Sequence, residues 1–359
     1  MIKLIHAADL HLDSPFAGLR PEQARQRRDE QRALLTRLAD ECSTRDCQLL
    51  LLAGDLFDGA HVYRDTVEAL IEALGACRAR VFIAPGNHDW LSPGSPYRTA
   101  DWPENVHIFT SETIECVTLP ELGCRIYGAG FCREHPGALL EGFSAEDDGL
   151  LNLMVLHGDP TGGAEYNPVT KQQIAASGLD YLALGHIHRG GQLREGRTLC
   201  AWPGCMMGRG FDECGEKGVY CVSLEPGRCE AERVPMGARQ YEILEVRVSE
   251  DPMASILAAL PEDATRDIYR IILTGESEGI DRAALEGALA GRFDALELID
   301  RTQPPLSLWA AAEEDSLKGR FLAGLKARYA QAAPEDRETI LLAARYGLSI
   351  FEGREVPPL

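Results

Sequence analysis

Five short segments carry side chains able to grip cations through nitrogen and oxygen. They are Asp9-Leu10-His11, Gly54-Asp55, Gly86-Asn87-His88-Asp89, His157-Gly158 and Gly185-His186-Ile187-His188. Imidazole, carboxylate and carboxamide ligands without thiolate suit Mn²⁺, Fe²⁺ or Zn²⁺ rather than a soft metal. Seven ligands (Asp9, His11, Asp55, Asn87, His157, His186 and His188) exceed one tetrahedral site. Two divalent ions sharing a bridging carboxylate are the economical reading; in such sites the ions lie ~3.5–4 Å apart and clamp the attacking and leaving oxygens of a displacement. Each piece alone is common: an isolated Asp-x-His decorates most proteins, and a Gly-Asp after a strand is usually a turn. Only their conjunction carries chemistry.

The elements that must position these residues are legible as short apolar runs at residues 2–8, 48–53, 80–84, 152–156 and 181–184, each ending at one of the five segments. Two further runs, 125–129 and 219–224, complete the strand set. Amphipathic stretches lie between the early runs. One helix is expected at 21–41, with Leu34, Leu35 and Leu38 inward, and another at 65–76, with Val67, Leu70, Ile71 and Leu74 inward. Strand–helix–strand order implies parallel pairing and a layered α/β core, and ligands of such sheets bind beyond the carboxyl ends of the strands. In extended chain the two side chains of Asp9-x-His11 and of His186-x-His188 would project to one side. Gly54, Gly86 and Gly185 would let the backbone turn sharply beside the site.

Character changes near residues 235–239. Beyond them the pattern predicts a β-α-β-α-β unit, with strands near 244–248, 268–274 and 295–299 and helices at 252–260 and 281–293. Gln303-Pro304-Pro305 reads as a linker. A helical end follows, with Leu317, Phe321, Leu325 and Tyr329 at four-residue steps and Pro334 opening another helix. The expected division is 1–240, 241–302 and 303–359.

Composition bounds the reading. Apolar residues make up 45% of 359, ordinary for a globular chain and long enough for more than one core. No apolar run is long enough for a membrane span, and the N-terminus lacks a signal-peptide core, so the expected location is cytoplasmic. Eleven scattered cysteines without a CxxC pair read as buried or idle thiols. The net charge of −20 argues mildly against nucleic acid, whose binders carry a basic footprint. A local exception, Arg20, Arg25, Arg27, Arg28, Arg32 and Arg37, reads as a solvated helix face interleaved with Glu22, Asp29 and Glu30.

The ordered motifs D-x-H, G-D, G-N-H-D, H and G-H-x-H resemble the calcineurin-like metallophosphoesterase superfamily. The contexts Ile5-His6-Ala7-Ala8-Asp9-Leu10-His11-Leu12, Leu52-Ala53-Gly54-Asp55-Leu56-Phe57-Asp58 and Ala84-Pro85-Gly86-Asn87-His88-Asp89 look like the SbcD-type DNA repair nucleases. The continuation Asp13-Ser14-Pro15-Phe16 is similar to their YhaO branch. The resemblance implies an αββα sandwich with a small α/β capping domain and a helical C-terminal tail. It implies one ion on Asp9, His11 and His188, a second on Asn87, His157 and His186, and Asp55 bridging. His88 would touch the phosphate and protonate the leaving oxygen, Asp89 would orient His88, and a metal-activated water would attack the phosphorus in line. It further implies Mn²⁺-dependent exonuclease action on DNA, with a small-molecule phosphodiesterase or phosphatase as the alternative. An Arg-lined groove near residues 20–37 and 189–209 would favour DNA. An SbcC-like coiled-coil ATPase would bind through the C-terminal stripes Leu317, Phe321, Leu322, Leu325, Tyr329 and Ile340, Leu341, Leu348; such a stripe would otherwise serve as a homodimer contact or pack internally. Some relatives carry histidine where this chain has Asp58, a change expected to be neutral. His61, His107 and His135 match no motif and read as surface or loop histidines.

Overall fold

The computed structural model describes residues 1–17, 19–59, 61–162, 165–249, 251–277, 279–302 and 306–353. It divides into two compact units, Met1–Gln240 and Tyr241–Leu359.

The first unit runs β1 (Ile2–Ala7), α1 (Pro21–Thr44), β2 (Leu49–Leu52), α2 (Arg64–Ala76), β3 (Arg80–Ile83), the single turn α3 (Pro96–Thr99), β4 (Val106–Ile108), β5 (Glu115–Leu119), β6 (Cys124–Gly128), β7 (Leu151–His157), α4 (Lys171–Ala176), β8 (Tyr181–Gly185), β9 (Arg189–Glu195), β10 (Thr198–Gly204), β11 (Gly218–Glu225) and β12 (Arg228–Pro235). Its strands form two six-stranded sheets, ordered β12-β11-β1-β2-β3-β4 and β5-β6-β7-β8-β10-β9. The central strands of each sheet pair in parallel, and antiparallel strands close three of the four edges.

The all-leucine β2 shows why the sheets stack. Successive side chains of a strand face opposite ways. Leu49 and Leu51 therefore enter the layer between the sheets, beside Leu4, Phe82, Ile126, Leu153 and Tyr181. Leu50 and Leu52 enter the other face, beneath Leu34, Leu35 and Leu38 of α1 and Leu70 and Leu74 of α2. A strand buried on both faces reads as a continuous apolar run. The outer face of the second sheet is covered more thinly, by Ile174 of α4 and Leu140 from the irregular segment 129–150 over Met154, Leu156, Leu182 and Leu184. The order is helix, sheet, sheet and a thin helical layer.

A polar link through His6 crosses the inter-sheet layer. His6 of β1 has Nε2 3.0 Å from the Leu184 carbonyl and Nδ1 2.8 Å from the Tyr181 hydroxyl. The carbonyl can only accept, so Nε2 donates to it and Nδ1 accepts from Tyr181. That pattern specifies neutral imidazole, and burial lowers the His6 pKa to about 3.

The second unit contains β13 (Tyr241–Val248), α5 (Pro252–Ala259), β14 (Ile268–Gly275), α6 (Arg282–Ala288) and β15 (Ala295–Asp300), a wholly parallel three-stranded sheet over its own core of Val246, Ile256, Ile271, Leu273 and Leu298. A 3₁₀ turn, Leu306–Glu313, precedes α7 (Leu317–Gln331) and α8 (Pro334–Phe351). The expected linker 303–305 lies outside the described residues. The C-terminal stripes divide: Leu322 and Leu348 are buried and pack with Leu308, Leu325 and Leu341, whereas Leu317 is 76% exposed and Phe321 37% exposed. Among the described residues no helix is long and apolar enough to cross a membrane.

Candidate metal centre

All five ligand-bearing segments lie at the carboxyl ends of strands. They belong to two sheets rather than one: β1, β2 and β3 bring Asp9, His11, Asp55, Asn87 and His88, and β7 and β8 bring His157, His186 and His188. The first two loops are zipped together by Asp9 N–H to Gly54 O at 3.0 Å, His11 N–H to Asp55 O at 3.0 Å and Leu12 N–H to Leu56 O at 2.8 Å.

The reason for the Asp-x-His spacing differs from simple strand alternation. Asp9 (φ 52°), His11 (φ 43°), Asp55 (φ 52°) and His186 (φ 91°) all occupy the left-handed region, where a non-glycine residue is held at a cost of about 1–3 kcal/mol. Tertiary contacts, not extended chain, aim these side chains. The glycines act in two ways. Gly54 turns at φ 84°, but Gly185 is required by crowding, since a Cβ there would stand 2.0 Å from the Ala53 carbonyl oxygen.

Among the described residues three groups of possible ligands result. Two lie fully within the expected set, one of Asp9, His11 and His188 and one of Asp55, His157 and His186, and a third, more exposed, holds His11, Asp58 and His88. Asp55 Oδ2 lies 3.3 Å from His157 Nε2 and 3.9 Å from His11 Nε2, which places it between the first two groups. Asn87 Oδ1 is 2.9 Å from His157 Nε2 and 3.3 Å from His186 Nδ1.

Three of the four ligand imidazoles are fixed from behind. His157 Nδ1 donates to Ala53 O at 2.9 Å, His11 Nδ1 to Asp58 Oδ1 at 2.8 Å and His188 Nδ1 to Glu213 Oε1 at 2.7 Å. With their protons committed there, the neutral rings present bare Nε2 lone pairs inward. His11 Nε2 then confronts His188 Nε2 at 3.0 Å, and His157 Nε2 confronts the Asn87 and Asp55 oxygens. Asp9 Oδ2 is buried with no hydrogen-bond partner. Acceptors facing acceptors in a buried site are reconciled by cations. Protonation relieves only part of it: burial lowers the His157 pKa, but Asp55 more than offsets this and raises it to about 9. At His188 burial lowers the pKa but Glu213 more than offsets it, so that a proton on Nε2 would bridge to His11, whereas Asp9 Oδ2 would remain bare. Burial raises the Asp9 pKa, whereas Asp55, though burial acts on it too, is held below the carboxylate range by His157. The donor set fits two divalent ions.

His88 stands apart. Its backbone N–H donates to Asp55 Oδ1 at 2.9 Å, its ring meets the His11 ring edge-on at 4.8 Å, and its side chain is 43% exposed. Asp89 does not orient it. The Asp89 carboxylate turns inward and accepts from the N–H groups of Leu56 (2.7 Å), Phe57 (3.2 Å) and Gly86 (2.7 Å) and from the Tyr97 hydroxyl (2.5 Å), locking the loops after β2 and β3 together. The carboxylate beside the His88 ring is Asp58, at 3.9 Å.

Asp58 lies beside the ligands: it holds His11 and receives Arg209 at 2.9 Å. Arg209 also binds Glu213 at 2.7 Å, so one guanidinium ties the carboxylates behind His11 and His188. Glu213 and Arg209 carry no motif; their i,i+4 spacing was the only signal. Part of the expected basic groove is neutralised by the chain itself. Arg27 is buried against Glu30 and the Gly208 carbonyl, Arg32 reaches Asp29 and Asp13, and Arg197 binds Asp180. Of the unassigned histidines, His61 is exposed, while His107 is half-buried on β4 beside Phe82 and Phe109 rather than in a loop. His135 stacks on Tyr166, which in turn meets the His186 ring at 5.0 Å.

The calcineurin-like phosphoesterase family model matches residues 2–190, a span that contains every one of these ligands. The chain belongs to that family. It is 32% identical over 320 residues to "Uncharacterized metallophosphoesterase YhaO" of Bacillus subtilis (strain 168), covering 82% of this chain and 77% of that protein. Solved structures similar to it include a dimetal phosphatase from Danio rerio (12% identity, 66% of this chain and 97% of that one, TM-score 0.44) and TT1561 of Thermus thermophilus (12% identity, 65% and 98%, TM-score 0.41). As a phosphoesterase, the chain has candidate metal-binding residues placed at one junction of its two sheets.

Proposed function

We propose that this chain is a two-metal phosphodiesterase, and that its ester is the phosphodiester of DNA, cleaved exonucleolytically in repair. The observation that carries the metal chemistry is the convergence of imidazole nitrogens and carboxylate oxygens around Asp9 and Asp55, with Asp9 Oδ2 buried and unpartnered. Asp9, His11 and His188 would hold one ion and Asn87, His157 and His186 the other, with Asp55 shared; Mn²⁺ suits the set, as do Fe²⁺ and Zn²⁺. When bound, the pair supplies charge neutralisation at the phosphoryl oxygens and an activated water. The chain's own residues do the rest. Asp55 positions His88 through its backbone N–H. The half-exposed His88 ring then offers a proton to the leaving oxygen from outside the ligand cage. Asp58, Arg209 and Glu213 keep His11 and His188 in the tautomer that frees Nε2.

The DNA reading rests on the motif contexts around residues 5–16, 52–58 and 84–89. In it, an SbcC-like coiled-coil ATPase would supply the basic surface that a chain of net charge −20 lacks. A second reading, a small diester as substrate, is favoured by Arg27, Arg32 and Arg209, which are turned toward the chain's own carboxylates. A Mn²⁺ assay comparing end-labelled duplex DNA with bis-p-nitrophenyl phosphate separates them. Release of nucleotides from duplex ends supports the nuclease. Turnover of the small diester alone supports the second reading, and turnover of neither with two metal equivalents bound defeats both.

A further inference from the structure

The second unit has a carboxyl edge of its own. Its three strands are all parallel, so their carboxyl ends lie together, the place where α/β sheets receive ligands. There a cavity of about 400 Å³ is lined by Arg247, Thr274, Gly275, Glu276, Arg301 and Arg345. The three guanidiniums come from three elements: Arg247 is next to last in β13, Arg301 follows β15, and Arg345 lies on α8. Gly275, at φ 96°, ends β14 between them, and a Cβ there would approach the Arg247 side chain to 3.1 Å. The neighbouring backbone is anchored by Arg301 N–H to Leu273 O at 2.8 Å.

The charge balance is positive within a chain of net charge −20. Arg345 binds Glu276 at 2.9 Å. Among the described residues neither Arg247 nor Arg301 has an ion-pair partner, so the cavity keeps an excess of two positive charges. The volume lies within the range of small-ligand sites. Guanidinium groups bind planar arrays of phosphoryl oxygens through paired N–H donors.

We propose that this cavity is a binding site for a dianionic phosphoryl group, with Arg247 and Arg301 as its principal donors and Glu276 as the anion it displaces from part of Arg345. The group is either free phosphate or the terminal phosphate of a nucleotide. The site is separate from the metal centre and does not depend on which ester that centre cleaves.

The test is calorimetric titration of the full chain, stripped of metal and at low ionic strength, with inorganic phosphate and with adenosine 5′-monophosphate. The double variant Arg247→Ala/Arg301→Ala should weaken binding at least about tenfold, because two charge-assisted contacts are lost. Glu276→Gln should tighten it about threefold by removing the competing carboxylate, a gain that misfolding cannot imitate. Tighter binding of the mononucleotide assigns the site to a nucleotide, and equal or weaker binding assigns it to phosphate. Unchanged affinity in the double variant, or no gain with Glu276→Gln, overturns the proposal. Because metal is absent, failure of the phosphodiesterase reading would leave this result untouched.

Discussion

Both units of the chain end their parallel strands at a cluster of charged side chains, and the two clusters are opposites. In the first unit the strand ends carry carboxylates and imidazoles; Asp9, His11, Asp55 and His157 are buried, His11, His157 and His188 are each braced by a second residue, and several ligands are held on left-handed backbone. In the second unit the strand ends carry arginines, more exposed and in part without a carboxylate partner. The same topological position therefore serves cations where depth and bracing strip water from the ligands, and suits anions where solvated guanidiniums converge. A cation site needs its ligands fixed before the ion arrives, whereas an arginine fork retains its charge and donors in water.

The largest effect expected at the first cluster separates holding the metals from using them. His88→Ala should lower hydrolysis of bis-p-nitrophenyl phosphate by about 10²–10⁴, with metal content by elemental analysis unchanged at two equivalents. Asp55→Ala should remove both activity and metal, since its carboxylate lies within reach of both ligand groups. If His88→Ala emptied the site, its place outside the cage would be wrong.

Bracing is tested next. Glu213→Ala removes the carboxylate behind the His188 ring, and Asp58→Ala removes the one behind His11. Each should weaken metal binding about 10–100-fold, read by competition with a chelator. Equal affinity in wild type and variants would show that the bracing does not tune the ligands.

These bracing residues also mark where the sequence stops being legible. The apolar runs before Asp9, Asp55 and His157 announce strands because a doubly buried strand needs nothing but apolar side chains, as Leu49 to Leu52 show. The ligands themselves are readable because chemistry restricts their types. Glu213 is not readable: it sits in coil, and only the fold brings it to His188. Asp58 was visible as a position but not as a function, because its partners lie 47 and 151 residues away. Asp89 misled in another way. The family resemblance implied a contact with His88, while the Asp89 carboxylate turns inward to the loop N–H groups and Tyr97. The antiparallel edges β5, β9 and β12 escaped because half-exposed strands carry mixed residues.

Strain and charge at the first cluster should also appear as stability. In the metal-free chain the Asp9 carboxylate is buried, raised in pKa by that burial, and has one oxygen without a partner. Asp9→Asn keeps the Oδ1 that accepts from His186 N–H at 2.8 Å and supplies a donor toward the bare imidazole nitrogens. It should stabilise the metal-free protein by about 1–3 kcal/mol, measured by urea unfolding, while abolishing activity. A destabilised variant would mean that Asp9 is satisfied without an ion.

His6 gives the pH dependence of the frame. Its folded pKa, about 3, lies below the unfolded value of 6.5, so between these values the unfolded chain binds the extra proton. Stability should be fully present above pH 6.5 and fall by about 1.4 kcal/mol per pH unit below it, from this residue alone. His6→Gln should flatten that slope in urea titrations at pH 4, 5 and 6. An unchanged slope would place the acid sensitivity in other groups.

The smallest effect belongs to the second cluster and completes the contrast. Arg247 and Arg301 are exposed and, among the described residues, support no carboxylate. Removing an exposed side chain that braces nothing shifts stability by no more than about 0.5 kcal/mol. Arg247→Ala should therefore leave the urea midpoint of the phosphate-free chain almost unmoved. In 50 mM phosphate the wild type should gain stability that the variant does not, because a ligand that binds only the folded state adds RT ln(1 + [L]/Kd). A gain shared equally by both proteins would point to general salting rather than to this edge. A large loss in the variant without phosphate would show that Arg247 is structural. A gain confined to the wild type would mark the second edge as a site whose occupancy, unlike that of the first, carries no cost in strain.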